Sequence, residues 1–206
     1  ICQYIGILII FSIPWLALFG SPQSLLANGE IVFFDDFEPP AQPLGKNLNK
    51  FSIAKVSSKS YDVAVVGDVF FEGSQALKME RRDNGEIILI SNPLVPVEPG
   101  QGYELSLYIK ANKHEYPFRL IIINNNMKPF MAKPTLIDTQ WRRYNLFFVF
   151  PGTSDTNYDP TVNSFFIYLD FGALYQVGPG TAWIDNVQIQ KVTNVASQPL
   201  HQNVLT

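Results

Sequence analysis

With 206 residues, 15 prolines, 13 glycines and 14% aromatics against only 16% charged residues, the chain reads as one sizeable domain of short strands joined by turns. A net charge of -3 leaves no basic footprint for nucleic acid. Cys2 is the sole cysteine, which excludes an intrachain disulfide and a cysteine metal site, and the two histidines, His114 and His201, give thin support to histidine metal catalysis or a Ser-His-Asp triad.

Residues 1–27 contain no Lys, Arg, Asp or Glu, and Ile5–Phe19 is an almost unbroken apolar run. With the breaker Gly20-Ser21-Pro22 and the small residue Ala27 this looks like a cleaved secretory signal, although the expected cationic start is missing. This predicts a mature domain from Asn28 and a secreted or cell-surface location. The alternative is an uncleaved membrane anchor, for which Ile5–Phe19 falls short of the roughly 20 apolar residues that span a bilayer.

Ile31-Val32-Phe33-Phe34 reads as the first strand and runs into Asp35-Asp36-Phe37-Glu38, with Pro39-Pro40 as its stop. Residues 41–60 are polar and irregular, with Phe51 and Ile53 as expected core anchors. Tyr61–Val66 is a short strand, and Gly73–Met79 follows with Leu77 and Met79 facing inward. Arg81-Arg82-Asp83-Asn84-Gly85 reads as a hairpin turn leading into a returning strand, Glu86–Ile90.

Beyond the turn-rich link Pro96–Gly100, the alternation is clean: Tyr103, Leu105, Leu107 and Ile109 on one face, Glu104, Ser106, Tyr108 and Lys110 on the other. Phe118–Ile123, Trp141–Phe150 and Ser164–Phe171 are further strands, the first ending in the loop-former Asn124-Asn125-Asn126. The runs Phe118–Ile123 and Leu146–Phe150 lack alternation, as in strands covered on both sides or in a sheet with an apolar outer face.

Thr181–Lys191 is the closing strand, with Trp183, Asp185, Val187 and Ile189 on one alternation. A carboxylate in an apolar row is costly unless something pairs with it. After Lys191 the residues are polar and unpatterned, a tail or linker. About eight to ten turn-bounded strands predict an all-β fold, an antiparallel β-sandwich of the jelly-roll kind, over residues 28–191.

Five motifs in order carry a resemblance: Phe37-Glu38, Gly73-Ser74-Gln75-Ala76-Leu77, Pro99–Ala111, Thr139-Gln140-Trp141-Arg142-Arg143-Tyr144 and Trp183-Ile184-Asp185-Asn186-Val187. Together they resemble the jelly-roll carbohydrate-binding modules, the galactose-binding-like sandwiches attached to xylanases, cellulases and laminarinases. The resemblance implies a structural calcium ion held by Glu38 and Asp185, with Asp36 and the backbone near Lys78 as further ligands. Calcium takes six to eight oxygens from carboxylates and carbonyls, so the chemistry is consistent. The alternative is that Asp185 caps a turn by accepting backbone amides.

The resemblance also implies a sugar-binding groove on the concave outer side of one sheet. Tyr108, Glu104, Arg119, Tyr168 and Asp170 are the outward residues expected to line it, supplying aromatic faces and planar polar groups. The alternative leaves the tyrosines covering sheet edges and Arg119 paired with Glu104 or Asp170. Trp141 and Trp183 fall where such modules bury core residues.

Two functions compete. The first is a secreted, non-catalytic module binding a soluble polysaccharide or oligosaccharide. The second is an envelope or matrix protein that uses the same sandwich for protein contacts. The clustered Asp35, Asp36 and Glu38 are the only credible catalytic pair chemistry, and the calcium reading already accounts for them.

Overall fold

The computed structural model describes residues 29–38, 48–172 and 178–192. The expected signal segment and most of the polar tail lie outside the described residues.

Every regular element among the described residues is a strand. In chain order these are β1 (Ile31–Asp35), β2 (Phe51–Val56), β3 (Tyr61–Val66), β4 (Ala76–Arg81), β5 (Ile87–Ser91), β6 (Val95–Pro96), β7 (Gly102–Ala111), β8 (Tyr116–Asn124), β9 (Pro129–Ile137), β10 (Arg142–Val149), β11 (Ser164–Phe171) and β12 (Gly180–Val192). They form two antiparallel sheets. Sheet A runs β10-β7-β12-β4-β3, with β1 also on β12, and sheet B runs β2-β5-β11-β8-β9, with β6 on β11. The chain is an antiparallel β-sandwich.

Alternation on β7 turns Tyr103, Leu105, Leu107 and Ile109 into the core, where they meet Phe118, Leu120 and Ile122 of β8 and Phe165, Ile167, Leu169 and Phe171 of β11. Burying each such side chain contributes roughly 1.5–3 kcal/mol. One end of the core is aromatic: Tyr103 stacks on Phe148 with ring centroids 5.6 Å apart, and Phe150 stacks on Phe165 at 5.4 Å.

Several expectations need correction. Residues 51–56 are not irregular: they form the edge strand β2, whose outward Ile53 is 43% exposed and no core anchor, whereas Phe51 is buried. Pro129–Ile137 is a strand despite its two prolines, because β9 is an edge, where a missing donor costs least. The segment after Arg81 is not a hairpin. It carries the chain from β4 in sheet A to β5 in sheet B. Arg81 is buried there with its guanidinium over the Tyr116 ring, donating to the Tyr116 hydroxyl and to the carbonyl of Gly178.

The closing strand also departs from simple alternation. A bulge between Asp185 and Gln188 shifts the register of β12 on β7, and Asn186 takes φ 49°. Ile184 and Val187 therefore both face the core although they are three residues apart. Asp185 lies on the outward side with Trp183. Trp183 and Trp141 are half-buried, not core.

Candidate functional site

The predicted site residues lie on two opposite faces. Tyr108 and Glu104 point out from sheet A, on β7. Arg119 on β8, with Tyr168 and Asp170 on β11, points out from sheet B. A single groove lined by all five is excluded, because the hydrophobic core separates the two sets. Alternation assigns a side chain to inside or outside; it does not say which of two sheets the strand joins.

β11 is the middle strand of sheet B, so its outward residues sit at the centre of that face. Phe166, Tyr168 and Asp170 follow one another at the strand's two-residue period. Across the sheet, Ile90 and Ile121 flank Tyr168, while Ile88 and Arg119 flank Asp170. Tyr168 packs on Ile121, Ile123 and Ala132, which are buried although they face away from the main core. Arg119 donates through Nε to Asp170 Oδ2 at 2.8 Å. The Asp170 side chain is fully buried, and this ion pair is what makes the position tolerable. The result is an aromatic strip on an apolar floor, with one charged pair at its end. Sequence reading missed Phe166, whose signal was its place two residues before Tyr168.

The outward face of sheet A is polar at its centre. Glu104 is buried, accepting from Gln190 Nε2 at 2.8 Å, Asn145 Nδ2 at 3.2 Å and Arg143 at 3.3 Å. Tyr108 does not offer a free ring: Phe71 stacks on it with centroids 3.7 Å apart and planes 11° apart. Trp141 meets Phe71 edge-on at 6.0 Å, and Lys110 lies 5.4 Å from the Trp183 ring and 5.9 Å from the Trp141 ring.

Glu38 and Asp185, the expected calcium ligands, converge on one loop, residues 71–75. Asp185 Oδ2 accepts the amides of Phe71 and Glu72 at 3.0 and 3.1 Å, and its Oδ1 accepts that of Asn186 at 2.8 Å. Glu38 Oε1 accepts the amides of Ser74 and Gln75 at 2.6 and 2.7 Å, and Oε2 the Ser74 hydroxyl at 2.6 Å. Gly73, at φ 73°, allows the approach: a Cβ there would lie 2.3 Å from Glu38 Oε1. Asp36 caps the Glu38 amide at 3.2 Å.

Burial pushes Asp185 up to about 6, with the Glu38 charge adding to the rise. Burial opposes the ionisation of Glu38 as well. Its hydrogen bonds from Ser74 and Gln75 nevertheless win, and its carboxyl sits below the ordinary glutamate value. Asp35, by contrast, faces inward and accepts from Phe37, Asn49 and Lys50. Among the described residues, no group of three or more acidic, histidine or cysteine side chains stands ready as a metal cage.

No protein-family model matches the sequence, and no curated protein matches it. Solved structures do. The chain is similar to the CBM22-1 xylan-binding domain from Paenibacillus barcinonensis, at 15% identity and a TM-score of 0.52, over 81% of this chain and 97% of that one. It is similar to the family 11 carbohydrate-binding module from Clostridium thermocellum, solved with a β-1,3-1,4-mixed-linked tetrasaccharide, at 12% identity and a TM-score of 0.50, over 76% and 92% of the two chains. An arabinose-bound α-L-arabinofuranosidase is similar at 14% identity and a TM-score of 0.54, over 73% of this chain but 25% of the enzyme. The chain thus shares the sandwich fold of carbohydrate-binding modules, and a sandwich of this kind also occurs within a larger enzyme.

Proposed function

We propose that the protein is a secreted, non-catalytic carbohydrate-binding module that holds a soluble glycan chain against the outer face of sheet B. The observation that carries this reading is the strip of Phe166 and Tyr168 on the central strand, with Arg119 and Asp170 at its end. Aromatic faces stack on the C–H side of a pyranose ring, and a fixed guanidinium presents donors to hydroxyl groups. The xylan-binding neighbour and the one solved with a β-1,3-1,4-mixed-linked tetrasaccharide support the ligand class.

Tyr168→Ala and Phe166→Ala are each expected to weaken binding of a soluble glycan by roughly 1–3 kcal/mol, by analogy with base stacking on aromatic side chains. Melting should change little, because both rings are only half-buried. Arg119→Ala is a poorer probe, since it leaves Asp170 buried without that guanidinium and costs stability as well. Calorimetric titration with xylan, cellulose, laminarin and mannan oligosaccharides, beside melting curves, checks this. A folded wild-type protein that takes up none of them sinks the glycan reading and leaves the apolar floor to a protein contact.

Calcium belongs to the same proposal. Glu38 and Asp185 would hold it, beside Asp36, and it would tie the loop at residues 71–75 to the last strand. What supports it is the uncompensated charge: no lysine or arginine among the described residues forms an ion pair with Glu38, Asp185 or Asp36. The ion would compete for oxygens that accept backbone amides in the structure.

A further inference from the structure

Glu104 is an anomaly of sheet A. It faces away from the core, yet it is 1% exposed. A carboxylate so placed is kept only by its donors, and these come from the strands on either side: Arg143 and Asn145 from β10, Gln190 from β12. None of the core packing uses this network. Its effect is to fix planar side chains on a solvent-facing surface. Of the five N–H groups of Arg143, one goes to Glu104. Gln190 accepts in turn from Gln188 Nε2 at 3.2 Å.

This network borders a cleft of about 480 Å³, within the size range of small-molecule sites. Arg143, Ser106 and Gln188 form one side, bringing a guanidinium, a hydroxyl and an amide. Phe34 contributes ring surface; Tyr108 also lines the cleft, with Phe71 stacked on one face of its ring. Asp36, Glu38 and Glu72, from the segments after β1 and before β4, line the same cleft and make it acidic.

We propose that this cleft is a second saccharide site, on the opposite sheet from the Phe166–Tyr168 strip, and that it takes a short neutral oligosaccharide. A sugar hydroxyl is donor and acceptor at once, so it is satisfied only where both kinds of group converge. Arg143 and Gln188 supply donors; Glu38 is taken up by Ser74 and Gln75 and one Glu72 oxygen by Asn186, so Asp36 and the other Glu72 oxygen supply the acceptors. Glu104 holds the donors in place from behind, as the outer support of a binding site must. Charge narrows the class. Without calcium, three carboxylates line the cleft against one guanidinium, itself engaged by Glu104, so uronic-acid and sulfated chains are repelled. The site stands on the geometry of sheet A and does not depend on the sheet B reading.

The test is calorimetric titration in chelator, so that Asp36 and Glu38 keep their charge, with xylo-, cello-, laminari- and manno-hexaose and, as the charged control, a galacturonate hexamer. Two neutral ligands per chain are expected. Tyr168→Ala should leave one, with a Kd unchanged from the second wild-type site. Gln188→Ala, which cuts only a half-buried amide, should weaken that remaining site roughly tenfold, and the galacturonate should not bind there. A stoichiometry of one, abolished by Tyr168→Ala and untouched by Gln188→Ala, overturns the second site while the sheet B reading stands. A stoichiometry of one, lost with Gln188→Ala and kept with Tyr168→Ala, does the reverse. Uptake of no neutral oligomer overturns both. Should Gln188→Ala fail to fold, the ligand count of Tyr168→Ala alone decides: none remaining is fatal to the proposal.

Discussion

Asp185 shows how a single carboxylate can be placed where its charge is unwelcome. It is fully buried, and three backbone amides do not compensate for the water it has lost. Its folded value of about 6 lies above the usual 3.8 of an aspartate, so the folded state holds the proton more tightly than the unfolded one. The stability it contributes is therefore complete below about pH 3.8 and is lost as pH rises through 6. The full loss is about 3 kcal/mol. Asp83 runs the opposite way: held down to about 2, it contributes above 3.8 and fails only in stronger acid, so the two windows do not overlap. In chelator, the wild type should thus lose stability between pH 4 and 7 relative to Asp185→Asn, as read by denaturant melts across that range. Calcium bound by Asp185 would keep it ionised, flatten that difference and raise the melting temperature. Identical curves with calcium and with chelator would leave the amide clamp as the whole role of this carboxylate.

β12 carries the connectivity of sheet A. It pairs with β7 along one side, and with β4 and then β1 along the other. One uninterrupted alternation could not serve both stretches, since Ile184 and Val187 both have to reach the core. The bulge inserts the missing residue, and Asn186 absorbs it at φ 49°, where asparagine is tolerated far better than branched residues. Asn186→Val should cost about 1–2 kcal/mol from the left-handed backbone alone. Asn186→Gly should cost less, losing mainly the side-chain bond to Glu72. Equal destabilisation by the two in thermal melts would show that the bulge is not strained in this way.

For the whole molecule, the sandwich leaves one domain with two outer faces on which the two proposed sites can lie. Each sheet has one side in the shared core and one in water, and the two outer faces differ: apolar and aromatic on sheet B, hydrogen-bonded and acidic on sheet A. Access to a polysaccharide requires that the domain leave the cell. Secretion is proposed from the apolar run Ile5–Phe19 and the small Ala27. N-terminal sequencing of secreted material should begin near Asn28, and a start that keeps Ile5–Phe19 would make the protein membrane-anchored instead.

Period-two alternation and turn residues were enough to determine the all-β class, most of the strands and the inward set Tyr103, Leu105, Leu107 and Ile109, because burial on one side of a strand is written locally. The outward direction of Tyr108, Arg119 and Tyr168 was legible for the same reason. What only the tertiary structure decided is non-local. Sheet membership put Tyr108 and Glu104 on one face and Arg119, Tyr168 and Asp170 on the other. Edge position made strands of Phe51–Val56 and Pro129–Ile137, whose own patterns are weak. The bulge in β12 turned Trp183 and Asp185 outward while Val187 stayed inside. Each of these depends on pairing between residues far apart in the chain, and a strand's own side chains do not encode which neighbour it will meet.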